Sequence, residues 1–217
     1  MPRELLIIGT SGLAREMAQL ARRIDPAGKR WSCIRYVAES ADLKGQPLLH
    51  GSVDLCDGDL PAWQTAADVV LGIGHPRARA AVARRLAGHA ALQFPNLVHP
   101  RLEIDEGVVS LGRGNVLTQG VVMTCQIAIG DFNLFNWNVT IGHDARIGSF
   151  NVINPGSNVS GHVQLGDACL LGTGSQILEG RRIGHRVRIG AGAVVTQDIP
   201  DDGGTWVGVP ARAQATR

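Results

Sequence analysis

The sequence predicts a small α/β domain followed by a parallel β-helix. Two patterns in the 217 residues carry this prediction. Over residues 1–97, short apolar runs alternate with helical patterns, whereas from Leu111 to Val195 an aliphatic or bulky apolar residue returns at every sixth position. The change of period divides the chain into two domains, 1–97 and 98–217, and the chain is long enough for both to have a core.

A period of six fits neither the turn of a helix nor the alternation of an ordinary strand. It indicates a chain that turns a corner every six residues, as in a parallel β-helix with roughly 18 residues in each triangular coil. Each apolar residue is expected to point into the prism, and the glycine that often follows it is expected to relieve the adjoining corner. The apolar series is Leu111, Leu117, Met123, Ile129, Phe135, Ile141, Ile147, Ile153, Val159, Leu165, Leu171, Ile177, Ile183, Ile189 and Val195.

The N-terminal domain opens with the apolar run 5–8, a loop from Gly9 to Gly12, and a helical pattern over 14–24. Strand, glycine loop and helix in this order are typical of a Rossmann-like domain. Backbone N–H groups at a helix N-terminus suit a phosphate, so Gly9 and Gly12 are candidate nucleotide contacts. A plain strand-to-helix turn explains them equally well, because the third glycine of the dinucleotide fingerprint is absent.

Two further strands are predicted at 33–37 and 69–73. The first is followed by Glu39, and the second by Gly74 and His75. Because the carboxyl ends of parallel strands meet at one edge of a sheet, these three residues would surround one ligand pocket together with the glycine loop. The alternative for His75 is a structural role as the residue that precedes a helix beginning near Pro76.

Composition narrows the possible functions. The formal charge is only +2 and aromatic residues make up 4% of the chain, which argues against nucleic-acid binding. The N-terminus shows no signal-peptide pattern and no apolar run approaches membrane-spanning length, so a cytoplasmic enzyme without membrane insertion is expected. The four cysteines show neither CxxC spacing nor a local cluster with histidine, so no metal site is expected.

His143 is the candidate general base. It occupies the third place of its hexad, directly after Ile141 and Gly142, so it should face outward near a corner. Histidine is the usual base near neutral pH, and Asp144 next to it would orient the imidazole. The alternative for Asp144 is a solvated turn residue.

Three features of the chain resemble the hexapeptide acyltransferases. They are the repeat, the segment Thr-Ile-Gly-His-Asp-Ala-Arg-Ile-Gly-Ser-Phe at 140–150, and the closing Gly-Val-Pro-Ala at 208–211. More narrowly, they resemble the NeuD/PglD-type sugar acetyltransferases over nearly the whole chain. The resemblance implies a left-handed β-helix, acetyl-CoA as co-substrate, and a homotrimer with active sites at subunit interfaces. It also implies that the N-terminal domain holds a nucleotide-linked amino sugar.

Residue roles follow from the same resemblance. His143 and Asp144 match the catalytic pair, and Gly161 matches a glycine whose backbone N–H faces the thioester carbonyl. Asn136 matches an asparagine that faces the acceptor sugar, although a corner-turning asparagine is the plain alternative. Small residues on neighbouring coils would leave room for the pantetheine arm, or would simply form tight corners: Gly172, Thr173, Gly190 and Ala191.

The chain departs from these relatives at three positions. Leu13 replaces a histidine after the second glycine of the loop, and Ala38 replaces one of two acidic residues that end the second strand. Val152 replaces a second histidine nine residues after the catalytic one, so one coenzyme contact is expected to be missing or apolar.

The favoured function is acetyl-CoA-dependent N-acetylation of a nucleotide-linked amino sugar for a bacterial surface glycan. The nearest alternative is O-acetylation of a sialic-acid-like or other sugar hydroxyl, which uses the same chemistry. An alternative of another class is a non-catalytic nucleotide-sensing or scaffolding β-helix. A zinc-dependent carbonic-anhydrase-like arrangement would require His143, His162 and His185 to converge, and their uneven places in the hexads argue against it.

Overall fold

A computed structural model describes residues 2–201 and 203–214. The N-terminal domain is an α/β unit in which two helices pack on a mostly parallel sheet. Its elements in chain order are β1 (Arg3–Ile8), α1 (Gly12–Ile24), β2 (Trp31–Ala38), a 3₁₀ turn (Ala41–Leu43), β3 (Pro47–Leu48), β4 (Gly51–Cys56), a 3₁₀ helix (Asp57–Ala62), β5 (Ala67–Leu71), α2 (Pro76–Leu86) and β6 (Leu92–Gln93).

The sheet has the order β3-β4-β2-β1-β5-β6, and only β3 runs antiparallel to its neighbour. The predicted Rossmann-like arrangement is confirmed. The third predicted strand, however, ends at Leu71 rather than Ile73. A Cβ at Gly72 would lie 2.7 Å from the Cβ of Ala14, and one at Gly9 would lie 3.0 Å from the carbonyl oxygen of Gly72. Glycine at both positions therefore lets α1 approach the end of the sheet.

The second domain is a left-handed parallel β-helix with three sheets, which confirms the predicted fold class. Each strand pairs with the strand one coil later, so Val122 pairs with Thr140 and Thr140 with Asn158. The strands are β7 (Leu97–Val98), β8 (Val109–Leu111), β9 (Val116–Leu117), β10 (Val122–Met123), β11 (Ile127–Ile129), β12 (Leu134–Phe135), β13 (Thr140–Ile141), β14 (Arg146–Ile147), β15 (Val152–Ile153), β16 (Asn158–Val159), β17 (Gln164–Leu165), β18 (Leu170–Leu171), β19 (Gln176–Ile177), β20 (Arg182–Ile183), β21 (Arg188–Ile189), β22 (Val194–Val195), β23 (Thr205–Val207) and β24 (Arg212–Ala213).

We name the three sheets by their strands. Sheet I contains β7, β9, β12, β15, β18, β21, β23 and β24; sheet II contains β8, β11, β14, β17 and β20; and sheet III contains β10, β13, β16, β19 and β22. All fifteen apolar residues of the repeat lie in or against the interior cluster of the prism, with Leu111 and Met123 only partly buried. At the C-terminal end, Ile199, Trp206 and Ala211 join the same cluster, so the tail packs on the last coil.

The role expected for the glycines after the apolar residues is wrong. The left-handed backbone conformation that turns each corner falls two places later, at non-glycine residues such as Asn138, Asp144 and His162 as well as at glycines. The glycines next to the apolar residues instead allow the coils to stack. A Cβ at Gly142, for example, would lie 2.5 Å from the backbone nitrogen of Gly161. The spacing between coils, rather than the turn, therefore requires glycine there.

The N-terminal domain covers the outer face of sheet I. Val116, Leu134 and Val152 are buried in the same cluster as Met17 and other residues of α1. Arg79 of α2 is fully buried at this junction and donates to the carbonyls of Leu71 (2.9 Å), Ile73 (2.9 Å) and Phe132 (3.1 Å). Burial without a carboxylate partner lowers the pKa of Arg79 to about 10. Within the described residues, no helix is both long and apolar enough to cross a membrane.

Candidate active site at a corner of the β-helix

The corner between sheets III and II carries the predicted catalytic pair, and we call it the His143 corner. It is formed by residues 142–145 and, one coil later, by residues 160–163. Nδ1 of His143 lies 2.9 Å from Oδ2 of Asp144, and the two side chains are 48% and 44% exposed. Asp144 has a φ of 57°, a conformation that aspartate tolerates better than most residues. The pair thus projects outward from a rigid corner, as the sequence predicts.

Gly161 lies directly against the imidazole of His143. A Cβ on Gly161 would lie 2.6 Å from Cε1 and 2.7 Å from Nε2 of that ring. The residue is buried, and among the described residues its N–H finds no hydrogen-bond acceptor. A buried and unpaired donor is costly in a native structure, so its position beside a candidate base indicates a functional use.

A second corner shows how the equivalent backbone donors are satisfied there. At the corner between sheets I and II, the third-place side chain of each coil accepts from the N–H of the coil before it: Asp131 from Arg113, Asp167 from Ser149, and His185 from Asp167. We call it the Asp131 corner. At the His143 corner the corresponding residue one coil after Gly161 is Glu179, and within the described chain its side chain accepts no hydrogen bond from the N–H of Gly161. The N–H of Gly161 is therefore open to a ligand, whereas those of Asp144 and His162 donate to backbone carbonyls of the neighbouring coil.

His162 is a further member of the site, which the sequence analysis considered only in the zinc-dependent alternative. It stands one coil after Asp144, its N–H donates to the carbonyl of His143 at 2.8 Å, and its Nε2 lies 3.8 Å from Oδ2 of Asp144. The two imidazoles meet edge to face, with ring centroids 5.0 Å apart. The signal that would have found it is its spacing of one coil from Asp144.

His185 does not join this cluster. It lies at the Asp131 corner, where its Nδ1 is 3.5 Å from Oδ2 of Asp167. The carbonic-anhydrase-like alternative needed His143, His162 and His185 together, and a single chain does not bring them together. Of the three, only His143 and His162 are neighbours.

Asn136 and the small residues assigned to the coenzyme lie at the third corner, between sheets I and III. Oδ1 of Asn136 accepts from the N–H of Trp137. Gly172 and Thr173 stand two coils later, and a Cβ at Gly172 would lie 2.5 Å from the backbone nitrogen of Ala191, next to Gly190. The strands of sheet III separate this Asn136 corner from the His143 corner. One chain therefore does not bring the two predicted sets together.

The five N-terminal candidates lie at the carboxyl edge of the α/β sheet. Gly9 follows the central strand β1, Glu39 follows β2 on one side, and Gly74 and His75 follow β5 on the other. Two cavities open nearby. Gly12 lines one of about 390 Å³ together with Trp137, and His75 lines one of about 700 Å³ together with Arg186 and Arg188. The edge is shared, but Gly12 and His75 face different cavities.

Comparisons with known proteins agree with this geometry. The family model described as bacterial transferase hexapeptide (six repeats) matches residues 162–197. A histidine variant of perosamine N-acetyltransferase from Caulobacter crescentus, in complex with CoA and GDP-perosamine, is 28% identical, with a TM-score of 0.85 over 98% of this chain and 97% of that chain. The acetyltransferase domain of PglB from Neisseria gonorrhoeae is 26% identical, with a TM-score of 0.88 over 98% of this chain and 100% of that chain.

The chain is an acyltransferase, and its β-helix carries the hexapeptide repeat. WeeI from Acinetobacter baumannii, 24% identical with a TM-score of 0.84 over 98% of this chain and 100% of that chain, has the same fold. A search of curated protein sequences finds no match.

The three departures from the related enzymes have different structural settings in this acyltransferase. The side chain of Leu13 lies beside Gly74, 3.6 Å from where a Cβ there would stand, and Ala38 is buried at the end of β2. Val152 is buried where sheet I meets the N-terminal domain, and its side chain packs between the domains. The expectation of a missing or apolar coenzyme contact at this position stays a prediction.

Proposed function

We propose that this acyltransferase transfers the acetyl group of acetyl-CoA to the amine of a nucleotide-linked sugar, in the synthesis of a bacterial surface glycan. The observation that carries the proposal is the His143–Asp144 pair beside the free N–H of Gly161. The similar enzyme from Caulobacter crescentus, in complex with CoA and GDP-perosamine, supports the acceptor class. Both reactants are cytoplasmic metabolites, so we place the reaction in the cytoplasm.

The proposal gives a role to each residue, and the geometry supports it. An ionised Asp144 can only accept, so it fixes the proton of His143 on Nδ1 and leaves the lone pair of Nε2 facing outward. Nε2 takes a proton from the sugar amine as its nitrogen attacks the thioester carbon. The N–H of Gly161 stabilises the oxyanion of the tetrahedral intermediate. When the C–S bond breaks, the imidazolium returns its proton to the departing thiolate.

The nucleotide part of the acceptor is proposed to bind at the carboxyl edge of the α/β sheet, with Gly9, Gly12, Glu39, Gly74 and His75 as its contacts. Glycine backbone at the N-terminus of α1 offers N–H donors to a diphosphate. Asn136 is proposed to meet the sugar.

A homotrimer is part of the same proposal. The outer faces of sheets II and III are not covered by the described chain, and Val122 (54% exposed) and Leu178 (44% exposed) lie on the sheet III side of the His143 corner. Exposed apolar side chains beside a site favour a subunit interface. A neighbouring subunit would then bring its Asn136 corner, with Gly172, Thr173, Gly190 and Ala191, toward the His143 corner to hold the pantetheine arm. Sedimentation analysis tests this assembly, and a monomeric mass would contradict it.

The deciding experiment is a thiol-release assay with acetyl-CoA and a panel of GDP-, UDP- and dTDP-linked amino sugars. His143→Ala should abolish release. His185→Ala is the matched control, because His185 is also an exposed histidine beside an aspartate but lies at another corner. Release that survives His143→Ala would contradict the assigned base, and release with hydroxyl acceptors only would establish O-acetylation instead.

A further inference from the structure

The carboxylate of Asp144 lies between two imidazoles. Its Oδ2 is 2.9 Å from Nδ1 of His143 and 3.8 Å from Nε2 of His162. One ligand atom from each of the three side chains lies within 4.8 Å of the other two. All three side chains are about half exposed, so a small ion can reach them from solvent.

These separations fit a tetrahedral metal centre. Bonds of about 2.0–2.1 Å place the ligand atoms of such a centre about 3.3–3.4 Å apart. The two separations from Oδ2 of Asp144, 2.9 and 3.8 Å, lie on either side of this value, and the two imidazole nitrogens lie within 4.8 Å of each other. Side-chain rotations would bring the three atoms to the tetrahedral separation. Two imidazole nitrogens and one carboxylate are a donor set that suits Zn²⁺ and Co²⁺, and a fourth position remains open to water.

The backbone that carries the three ligands is held in place by the coil stacking. The N–H of Asp144 donates to the carbonyl of Cys125 at 3.1 Å, and that of His162 donates to the carbonyl of His143 at 2.8 Å. The ligands therefore come from successive coils of one rigid corner. Rigid elements hold ligand geometry better than loops, which reduces the cost of ordering the site.

We propose that the His143 corner is a binding site for a divalent transition-metal ion, with His143, Asp144 and His162 as ligands, and that the ion switches off the general base. This departs from the sequence-based expectation of no metal site, which considered cysteine spacing and a set of three histidines. A metal bound to Nδ1 of His143 displaces the proton from that atom. The neutral ring then carries its proton on Nε2, where a base needs a lone pair.

The binding part of this inference stands without the proposed function, whereas the inhibition part rests on it. Binding is therefore measured first, on the untagged, chelator-treated full chain, by calorimetric titration with Zn²⁺ and by the visible absorption of Co²⁺. His162→Asn removes one ligand and suits the φ of 56° at this position, because asparagine tolerates the left-handed conformation. His185→Asn is the matched control.

The expected result is one metal ion per chain for the native protein and for His185→Asn, with tetrahedral Co²⁺ absorption. His162→Asn should bind at least about tenfold more weakly, which corresponds to about 1.4 kcal/mol. Equal binding by His162→Asn, no binding by the native chain, or a thiolate-to-Co²⁺ charge-transfer band from a cysteine such as the exposed Cys125 would overturn the site.

The second readout is the rate of thiol release with Zn²⁺ divided by the rate without Zn²⁺, for each variant. The ratio should fall for the native enzyme, recover after chelation, and change at least about tenfold less for His162→Asn, in line with its weaker binding. If the native chain binds metal but has no transferase activity on any acceptor, the binding site stands and the proposed function fails. If Zn²⁺ binds at this corner without slowing transfer, the switch is wrong.

Discussion

Replacing Gly161 with alanine tests the packing of the catalytic pair. The added Cβ would lie 2.6 Å from Cε1 and 2.7 Å from Nε2 of His143, whereas ordinary contact begins near 3.4 Å. The ring must therefore move by about 0.7–0.8 Å, the difference between these distances. Because the imidazole is half exposed, it can swing outward without disturbing the coil.

A displacement of this size should lower the catalytic rate strongly and the stability of the fold only slightly. Misplacing a reacting group by about 1 Å lowers rates on the order of 100-fold, which is about 2.7 kcal/mol of transition-state stabilisation. We expect kcat/KM in the thiol-release assay to fall by about that factor, while the free energy of unfolding changes by less than about 1 kcal/mol. Thermal unfolding of the same preparation measures the second quantity.

The control is Gly58→Ala, in the N-terminal domain, where the nearest atom to an added Cβ is Sγ of Cys56 at 3.9 Å. This variant should keep the native rate. A Gly161→Ala enzyme with unchanged kcat/KM would show that His143 does not act from the position seen here. A large loss of stability without a selective loss of rate would assign Gly161 to coil packing alone.

Three further predictions concern other groups. Asp144→Asn keeps the shape of the pair but removes its charge, so kcat should fall about 100-fold or more with little change in the KM for the sugar, and an unchanged kcat would remove Asp144 from the mechanism. Burial, aided by Arg23 and Arg101, lowers the pKa of His99 below 6.5. The unfolded chain therefore binds a proton more readily, and the free energy of unfolding should decline as pH falls below that value. Urea titrations of His99→Gln should show a smaller decline than the native chain between about pH 7 and pH 5. Arg79→Met leaves three carbonyls without their donor and should cost about 2–3 kcal/mol of unfolding free energy, and a variant as stable as the native chain would contradict the junction described here.

The repeat made the β-helix predictable because every apolar residue of the series packs in or against the interior of the prism. The position of His143 in its hexad likewise predicts an outward side chain, and Asp144 lies beside it as expected. What the pattern did not reveal is which residues face each other across coils. His162 approaches Asp144 only because the two stand one coil apart, and that relation requires the coil length as well as the hexad.

The glycines and the interior asparagines show the same limit. Sequence reasoning assigned the glycines to turns because glycine is known for conformational freedom, but Gly142 is needed for the approach of Gly161. At the Asp131 corner, buried asparagines lie four places after residues of the apolar series. Asn115 accepts from the N–H of Asn133, and Asn133 from that of Asn151. Such ladders arise from stacking, which a linear pattern does not display.

The stacking of equivalent residues in successive coils has a consequence for how this protein can change in length. Cys125 and Asp144, like His143 and His162, are joined by backbone hydrogen bonds between neighbouring coils. Inserting a single residue between them would break this register and separate the catalytic pair from the N–H that serves it. Inserting one full coil beyond β20 would leave every contact at the His143 corner in place. The β-helix can therefore gain or lose length without loss of its chemistry only in units of a whole coil, away from the corner that carries the reaction.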